Sequence, residues 1–200
     1  MGDKPLQIVV IDENRIRASI IEDGLREAGF SLVSVIDDVA NAMGRVVELD
    51  PDVIFMDLAN PKRDELEYML QISRAVKRPI AMFVDQSDQA ATEAAIEAGV
   101  SAYIVDGLKK ERVHAILEMA VSRFNAFDRL QKELAAAKSE LAERKAIDKA
   151  KALLMRTKGI DEPAAYALLR RTAMNQNRKI AEVAESLLLA ADLLDGGRDT

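Results

Sequence analysis

Two hydrophobic patterns alternate along residues 6–106. Short apolar runs at Leu6–Ile11, Leu32–Ile36, Val53–Met56, Ile80–Val84 and Ala102–Val105 have strand length, and most are rich in Val and Ile. Between them the apolar positions take helical spacing. Ile16, Ile20, Leu25 and Ala28 mark a first helix that Gly29 closes; Val39, Ala42, Met43, Val46 and Val47 mark a second. Leu66, Met69, Leu70 and Val76 mark a third, and Ala91, Ala94, Ala95 and Ala98 a fourth, closed by Gly99. Strand and helix repeated five times predict an α/β unit, a parallel sheet with helices on both faces. Such a sheet takes its ligands at the carboxyl ends of its strands.

The pattern then changes. From Leu108 to Lys158 there is neither Gly nor Pro, and Ala, Leu, Glu, Lys and Arg dominate, which predicts a long helix. Val113, Ile116 and Ala120 fit a helix packed back on the sheet, whereas Phe127, Leu130, Leu134 and Leu141 form a stripe with nothing of its own chain to cover it. A coiled-coil homodimer is the natural solution for that stripe. Residues 140–195 read as three helices: the rod to about Thr157, then Glu162–Met174 and Lys179–Leu194. Lys158-Gly159-Ile160, followed by Asp161 and Pro163, makes the first break, and Asn175-Gln176-Asn177 the second.

Composition narrows the chemistry. The chain has 200 residues, 49% of them apolar, enough for two folded units and incompatible with disorder over most of its length. It has no cysteine and one histidine, His114, which removes disulfides, thiol nucleophiles, thiolate zinc sites and histidine metal clusters. No apolar run approaches the roughly 18 residues of a membrane span, so no membrane partner is expected. The start, Met1-Gly2-Asp3-Lys4-Pro5, lacks the shape of a signal peptide, which makes the cytoplasm the default location. The net charge of −6 is unevenly distributed: residues 1–143 carry −9, residues 144–182 carry +6, and the last 18 carry −3. An acidic body followed by a basic segment suggests that the second faces a polyanion; solvated helix faces are the plainer reading.

Polar residues stand at the strand ends. Asp12 and Glu13 follow the first strand, Asp57 ends the third and Asp106 ends the fifth. Carboxylates gathered at one sheet edge repel each other and invite a hard cation such as Mg²⁺; alternatively, Asp12 only caps the helix that follows it.

Ile8-Val9-Val10-Ile11-Asp12-Glu13-Asn14, Asp52-Val53-Ile54-Phe55-Met56-Asp57-Leu58 and Ala102-Tyr103-Ile104-Val105 resemble the receiver domain of bacterial two-component response regulators. The resemblance covers roughly residues 6–120 and implies a flavodoxin-like (βα)5 fold. It implies Mg²⁺ held by Asp12, Glu13 and Asp57, with Asp57 as phosphoacceptor. A carboxylate beside a metal suits acyl-phosphate chemistry. The chain departs from the pattern at two switch positions. Val84 stands where receivers carry Ser or Thr, and Asp106-Gly107 where they carry Lys-Pro. The second change replaces an attraction for phosphate by a repulsion, unless Lys109 or Lys110 reaches back. Tyr103 occupies the third switch position, the family's aromatic one. Weak phosphorylation of Asp57 is the expectation.

A second resemblance lies in the basic segment. Ala146-Ile147-Asp148-Lys149-Ala150-Lys151-Ala152-Leu153-Leu154-Met155, then Asp161-Glu162-Pro163-Ala164-Ala165-Tyr166-Ala167-Leu168-Leu169-Arg170, then Lys179-Ile180-Ala181-Glu182-Val183-Ala184 are similar to the ANTAR domain. That family is a three-helix RNA-binding module of transcription antiterminators, which act on stem-loops in leader transcripts. The departures at the phosphorylation site resemble its nitrate-assimilation and amidase members, in which a sensor protein supplies control. The organisation implied is a receiver-like domain at 1–122, a coiled-coil linker at 123–143 and an ANTAR bundle at 144–200.

Phosphate contacts are expected from Arg144, Lys145, Lys149, Lys151, Arg156, Lys158, Arg170, Arg171, Arg178 and Lys179. Base contacts are expected from Tyr166, Asn175, Gln176 and Asn177; Tyr166 has the alternative of half-buried core, and the amides that of a plain turn. These residues make an antiterminator, governed by a histidine kinase or a sensor protein, the leading expectation. A phosphorylation-dependent DNA-binding regulator is the alternative, disfavoured because Lys179–Leu194 is acidic and apolar beyond Lys179. An enzyme is not expected, since the carboxylates lack a basic or hydroxyl partner at Val84 and Asp106.

Overall fold

The structure is a computed structural model that describes residues 5–58 and 63–195. Five strands, β1 (Gln7–Ile11), β2 (Leu32–Ile36), β3 (Val53–Leu58), β4 (Ile80–Val84) and β5 (Ala102–Val105), form one parallel sheet in the order β2-β1-β3-β4-β5. Helices α1 (Arg15–Glu27), α2 (Ala42–Leu49), α3 (Arg63–Ala75) and α4 (Gln89–Glu97) connect them, and α5 (Val113–Lys158) follows β5.

The central strands β1, β3 and β4 are buried on both sides, which is why they read as nearly unbroken apolar runs, whereas the edge strand β2 leaves Leu32 and Val35 exposed. Ile8, Val10, Phe55, Phe83 and Ile104 face one layer with Ile21 and Leu25 of α1 and Val113, Ile116, Leu117 and Ala120 of α5. Val9, Ile11, Ile54, Met56 and Met82 face the other, with Val46 of α2, Met69, Leu70 and Ile72 of α3 and Ala95 of α4. Alternation of side chains along each strand sends neighbours to opposite layers. The sequence order moves outward in both directions from β1 and β3, so a crevice opens at their carboxyl ends.

The chain divides into two compact units, residues 1–128 and 129–200. In the second, α5 packs with α6 (Glu162–Gln176) and α7 (Ile180–Asp195). Ala146, Ala150, Leu154, Ala165, Leu169, Ala173, Val183 and Ala184 form its core, and the many alanines let the helix backbones come close. Asp161 caps α6 by accepting from the Ala164 N–H at 2.9 Å. Asn177, at φ 50°, ends α6 in the left-handed conformation. The second break is therefore Asn177-Arg178-Lys179, and Asn175 and Gln176 lie in the last turn of α6 rather than in a loop. The N-terminal Met1-Gly2-Asp3-Lys4 reading and the last five positions of the acidic tail fall outside the described residues. No helix among the described residues is long and apolar enough to cross a membrane.

Two helical glycines make opposite predictions. A Cβ on Gly24 in α1 would meet the Lys110 backbone oxygen at 2.9 Å and the Val113 Cβ at 3.1 Å, whereas one on Gly44 in α2 would meet nothing within 4 Å. Gly24→Ala should destabilise the protein by about 1–2 kcal/mol and Gly44→Ala stabilise it by roughly 0.5–1 kcal/mol, measured by urea unfolding.

Candidate functional site

The crevice gathers four charged side chains. Asn14 caps α1, its Oδ1 accepting from the Ile16 and Arg17 N–H groups at 3.0 and 3.4 Å. That cap fixes the first turn of α1 at the sheet edge, where Arg17 lies. The Arg17 Nε and Nη2 donate to the two oxygens of Asp57, each at 2.7 Å. Its Nη1 donates to the Asp85 Oδ1 at 3.0 Å and Oδ2 at 3.3 Å. The Asp57 side chain is fully buried, and its neighbour Asp12 is buried too. A planar guanidinium on a carboxylate is the strongest ion-pair geometry that side chains offer. Hydrogen bonding to Asp57, ahead of the cost of burial, holds Arg17 protonated even more firmly than usual.

Asp12 is differently placed. Its Oδ1 accepts from the Asn14 N–H at 2.7 Å, and its Oδ2 has no protein partner. Burial pushes its carboxyl up to about 7; the Asn14 N–H opposes this, while the Asp57 charge adds to it and Arg17 opposes it. The capping alternative for Asp12 fails, because Asn14 is the cap.

The expected metal set is not assembled. Glu13 is exposed, both oxygens of Asp57 are taken by Arg17, and no cluster of three acidic or histidine side chains among the described residues is arranged for a metal. Val84 is buried, so its position supplies only an apolar wall. Asp106 is exposed at φ 47°, a conformation tolerated by Asp next to Gly107. Tyr103 is half-buried and its hydroxyl lies 2.8 Å from the Ser87 Oγ. Lys110 does not reach back to Asp57: its Nζ pairs with Glu27 at 2.6 Å.

The second unit sorts its cations into two groups. Lys151 is held by Asp148 at 2.8 Å and Glu162 at 2.7 Å, and those two partners, Asp148 first, raise its proton affinity. It joins α5 to α6 and is spent on that contact. Arg178 donates to the Glu182 carbonyl and Ser186 Oγ at 3.0 and 2.9 Å, tying the second break to α7. Arg144 pairs with Glu140 at 2.7 Å, and Lys179 approaches Glu143 only to 3.8 Å. Lys145, Lys149, Arg156, Lys158, Arg170 and Arg171 are exposed with no ion pair among the described residues. Lys145, Lys149 and Arg156 share one face of α5 by helical spacing. Tyr166 is 42% exposed and stands one turn before Arg170 on α6, outside the core, which removes the core alternative for it. Asn177 is the turn residue described above.

The model of the response regulator receiver domain matches residues 8–118, more than half of the chain, and that of the ANTAR domain matches residues 135–188. The chain belongs to the ANTAR-domain response regulators. It is 29% identical over 184 residues to the transcriptional regulatory protein PdtaR of Mycobacterium tuberculosis, covering 92% of this chain and 90% of that protein. It is 37% identical to the nitrate regulatory protein of Klebsiella oxytoca over 73 residues, 36% of this chain and 18% of that protein. The CheY-like receiver domain protein of Methanospirillum hungatei matches with a TM-score of 0.54 at 11% identity, over 62% of this chain and 98% of that one, which supports the fold alone.

Receiver domains generally use Mg²⁺ at the phosphorylation site. In this response regulator the donor set does not fit that ion as it stands, because the Arg17 fork takes both Asp57 oxygens and Glu13 is exposed, with no three-ligand group among the described residues. Motif reading found Asp12 and Asp57 and missed Arg17, Asp85 and Ser87. Two signals were available: a cation in the first turn of the helix beside the carboxylates, and an acid immediately after Val84.

The raised pKa of Asp12 has a sign. Between about pH 4 and about pH 7 the folded state holds a proton that the unfolded chain has lost, so stability falls as pH rises through that window and levels off above it. Asp12→Asn should abolish the fall and stabilise the protein at pH 8 by roughly 2–4 kcal/mol, read from urea unfolding at pH 5 to 8 in EDTA.

Proposed function

We propose that this response regulator is a transcription antiterminator that binds stem-loops in nascent leader RNA. RNA binding falls to the ANTAR domain at residues 144–200, and the receiver-like domain at 1–122 governs it. The observation that carries this reading is the exposed set Lys145, Lys149, Arg156, Lys158, Arg170 and Arg171, without an ion pair among the described residues, on a three-helix unit whose α6 carries the exposed ring of Tyr166 one turn before Arg170. Cations supply affinity for phosphates, and a ring beside a guanidinium supplies a stacking place for an unpaired base. Lys151 and Arg178 hold the module together and contribute little to RNA. Asn175 is exposed in the last turn of α6, one turn after Arg171. The role is regulatory, without catalysis, in the cytoplasm.

Control from the receiver runs through weak phosphorylation of Asp57 by a histidine kinase or through a sensor protein. The reading also assigns a homodimer to residues 123–143. Phe127, Leu130, Leu134 and Leu141 are 48–60% exposed on α5, and a second copy of the same stripe would bury them.

Two measurements test this. In filter binding over a salt series, a hairpin RNA should bind more tightly than duplex DNA of equal length. Lys145→Gln, Lys149→Gln and Arg156→Gln combined should lower the salt slope by roughly two to three while leaving the circular dichroism unchanged. Tighter binding to duplex DNA would favour the DNA-reading alternative and sink the RNA one. Separately, Leu130→Asp with Leu134→Asp should convert a dimer to a monomer in light scattering; a wild type already monomeric at high micromolar concentration would refute the coiled coil.

A further inference from the structure

We propose that Arg17 is the resident cation of the receiver pocket, taking the place from which the family's divalent ion is held and making Asp57 the anion of an internal clip. Three bonds carry the inference. The Arg17 fork occupies both Asp57 oxygens at 2.7 Å, so a metal would need to displace at least one of them. The remaining Nη1 holds Asp85 at 3.0 Å, which ties α1 and β3 to the segment between β4 and α4. The Asp57 side chain has no solvent exposure, so its charge requires a partner inside the protein.

The chain has lost the cation that the receiver pattern would place there. Asp106 stands at that position, exposed, and Lys110 is diverted to Glu27. Arg17 reaches the same carboxylate from α1 instead. A dication placed beside a guanidinium would meet repulsion, so the clip and the metal exclude each other. Asp12 completes the arrangement: it is buried beside Asp57 and its Oδ2 lacks a protein partner, an oxygen that a cation could use once Arg17 is gone. Asp85 gives the clip its reach. A receiver with only the Arg17–Asp57 contact would pin two elements; with Asp85 the β4–α4 segment is pinned as well, and that segment leads directly into the Asp88 cap of α4.

The inference stands independently of RNA binding by the second unit. Its test uses the full chain and Mn²⁺ or Mg²⁺ alone as probe. Wild type should show no saturable Mn²⁺ binding by electron paramagnetic resonance beyond that of Asp57→Asn, and its Tm should not respond to Mg²⁺. Arg17→Gln should unfold at a lower temperature in EDTA, bind one Mn²⁺ at least about tenfold more tightly than wild type, and recover Tm with Mg²⁺. Adding Asp57→Asn to Arg17→Gln should remove that binding. Arg17→Lys, which keeps the charge in the pocket but cannot fork both Asp57 oxygens, keeps the test available if Arg17→Gln does not fold: its Mn²⁺ affinity should lie above that of wild type and below that of Arg17→Gln. Saturable Mn²⁺ binding by wild type equal to that of the variants, or a folded Arg17→Gln or Arg17→Lys that binds no better than wild type, would overturn the proposal.

Discussion

A buried negative charge at the meeting point of two strands is the constraint on which the receiver is organised. Asp57 is the penultimate residue of β3 at the sheet's carboxyl edge, with Asp12 beside it after β1. Two carboxylates this close and this dry cannot both stay ionised without compensation. The molecule applies both available remedies: a guanidinium on Asp57, and a proton affinity for Asp12 raised to about 7. The Asn14 cap touches both groups: its backbone N–H, donated to Asp12, moderates the rise in proton affinity, and its side chain sets the turn from which Arg17 extends. Local helix chemistry thus decides the electrostatics of the crevice.

The second unit meets a different constraint. Its core is small and rich in alanine, so helix packing alone gives limited apolar burial. Ion pairs that cross between elements fill part of the gap. Lys151 spans α5 and α6, and Arg178 fastens the turn to α7. Cations with these duties are set by the fold, whereas those without them, such as Lys149 and Arg156, are left on the surface where no internal contact requires them.

Much of this was legible in the pattern of residues, and the boundary of legibility is physical. A strand buried on both faces leaves a continuous apolar run, so β4 was located to the residue; the edge strands β2 and β5, partly exposed, were located by their Val and Ile content instead, and Gly29 and Gly99 marked helix ends because both take positive φ. Asp57 was legible because it interrupts an apolar strand. Arg17 was not, because an arginine in the first turn of an amphipathic helix is ordinary until the fold brings Asp85, 68 residues away in sequence, to its other nitrogen. Basic residues likewise look alike in sequence; only the partners Asp148 and Glu162 separate Lys151 from Lys149. Amides at a helix end are ambiguous for the same reason, since Asn177 is spent on a left-handed cap and Asn175 is not.

The distribution of charge follows from the same reasoning. A polyanion close to the second unit responds to groups within a Debye length of about 8 Å at physiological ionic strength, not to a whole-chain sum. The relevant figure is therefore the +6 of residues 144–182 rather than the −6 of the chain. Internal pairing trims even that, because Lys151 and Arg178 face carboxylates and backbone oxygens of their own module. What remains among the described residues is a set of exposed cations, with the ring of Tyr166 one turn from Arg170, so a polyanion meeting this unit would face those cations rather than the full +6.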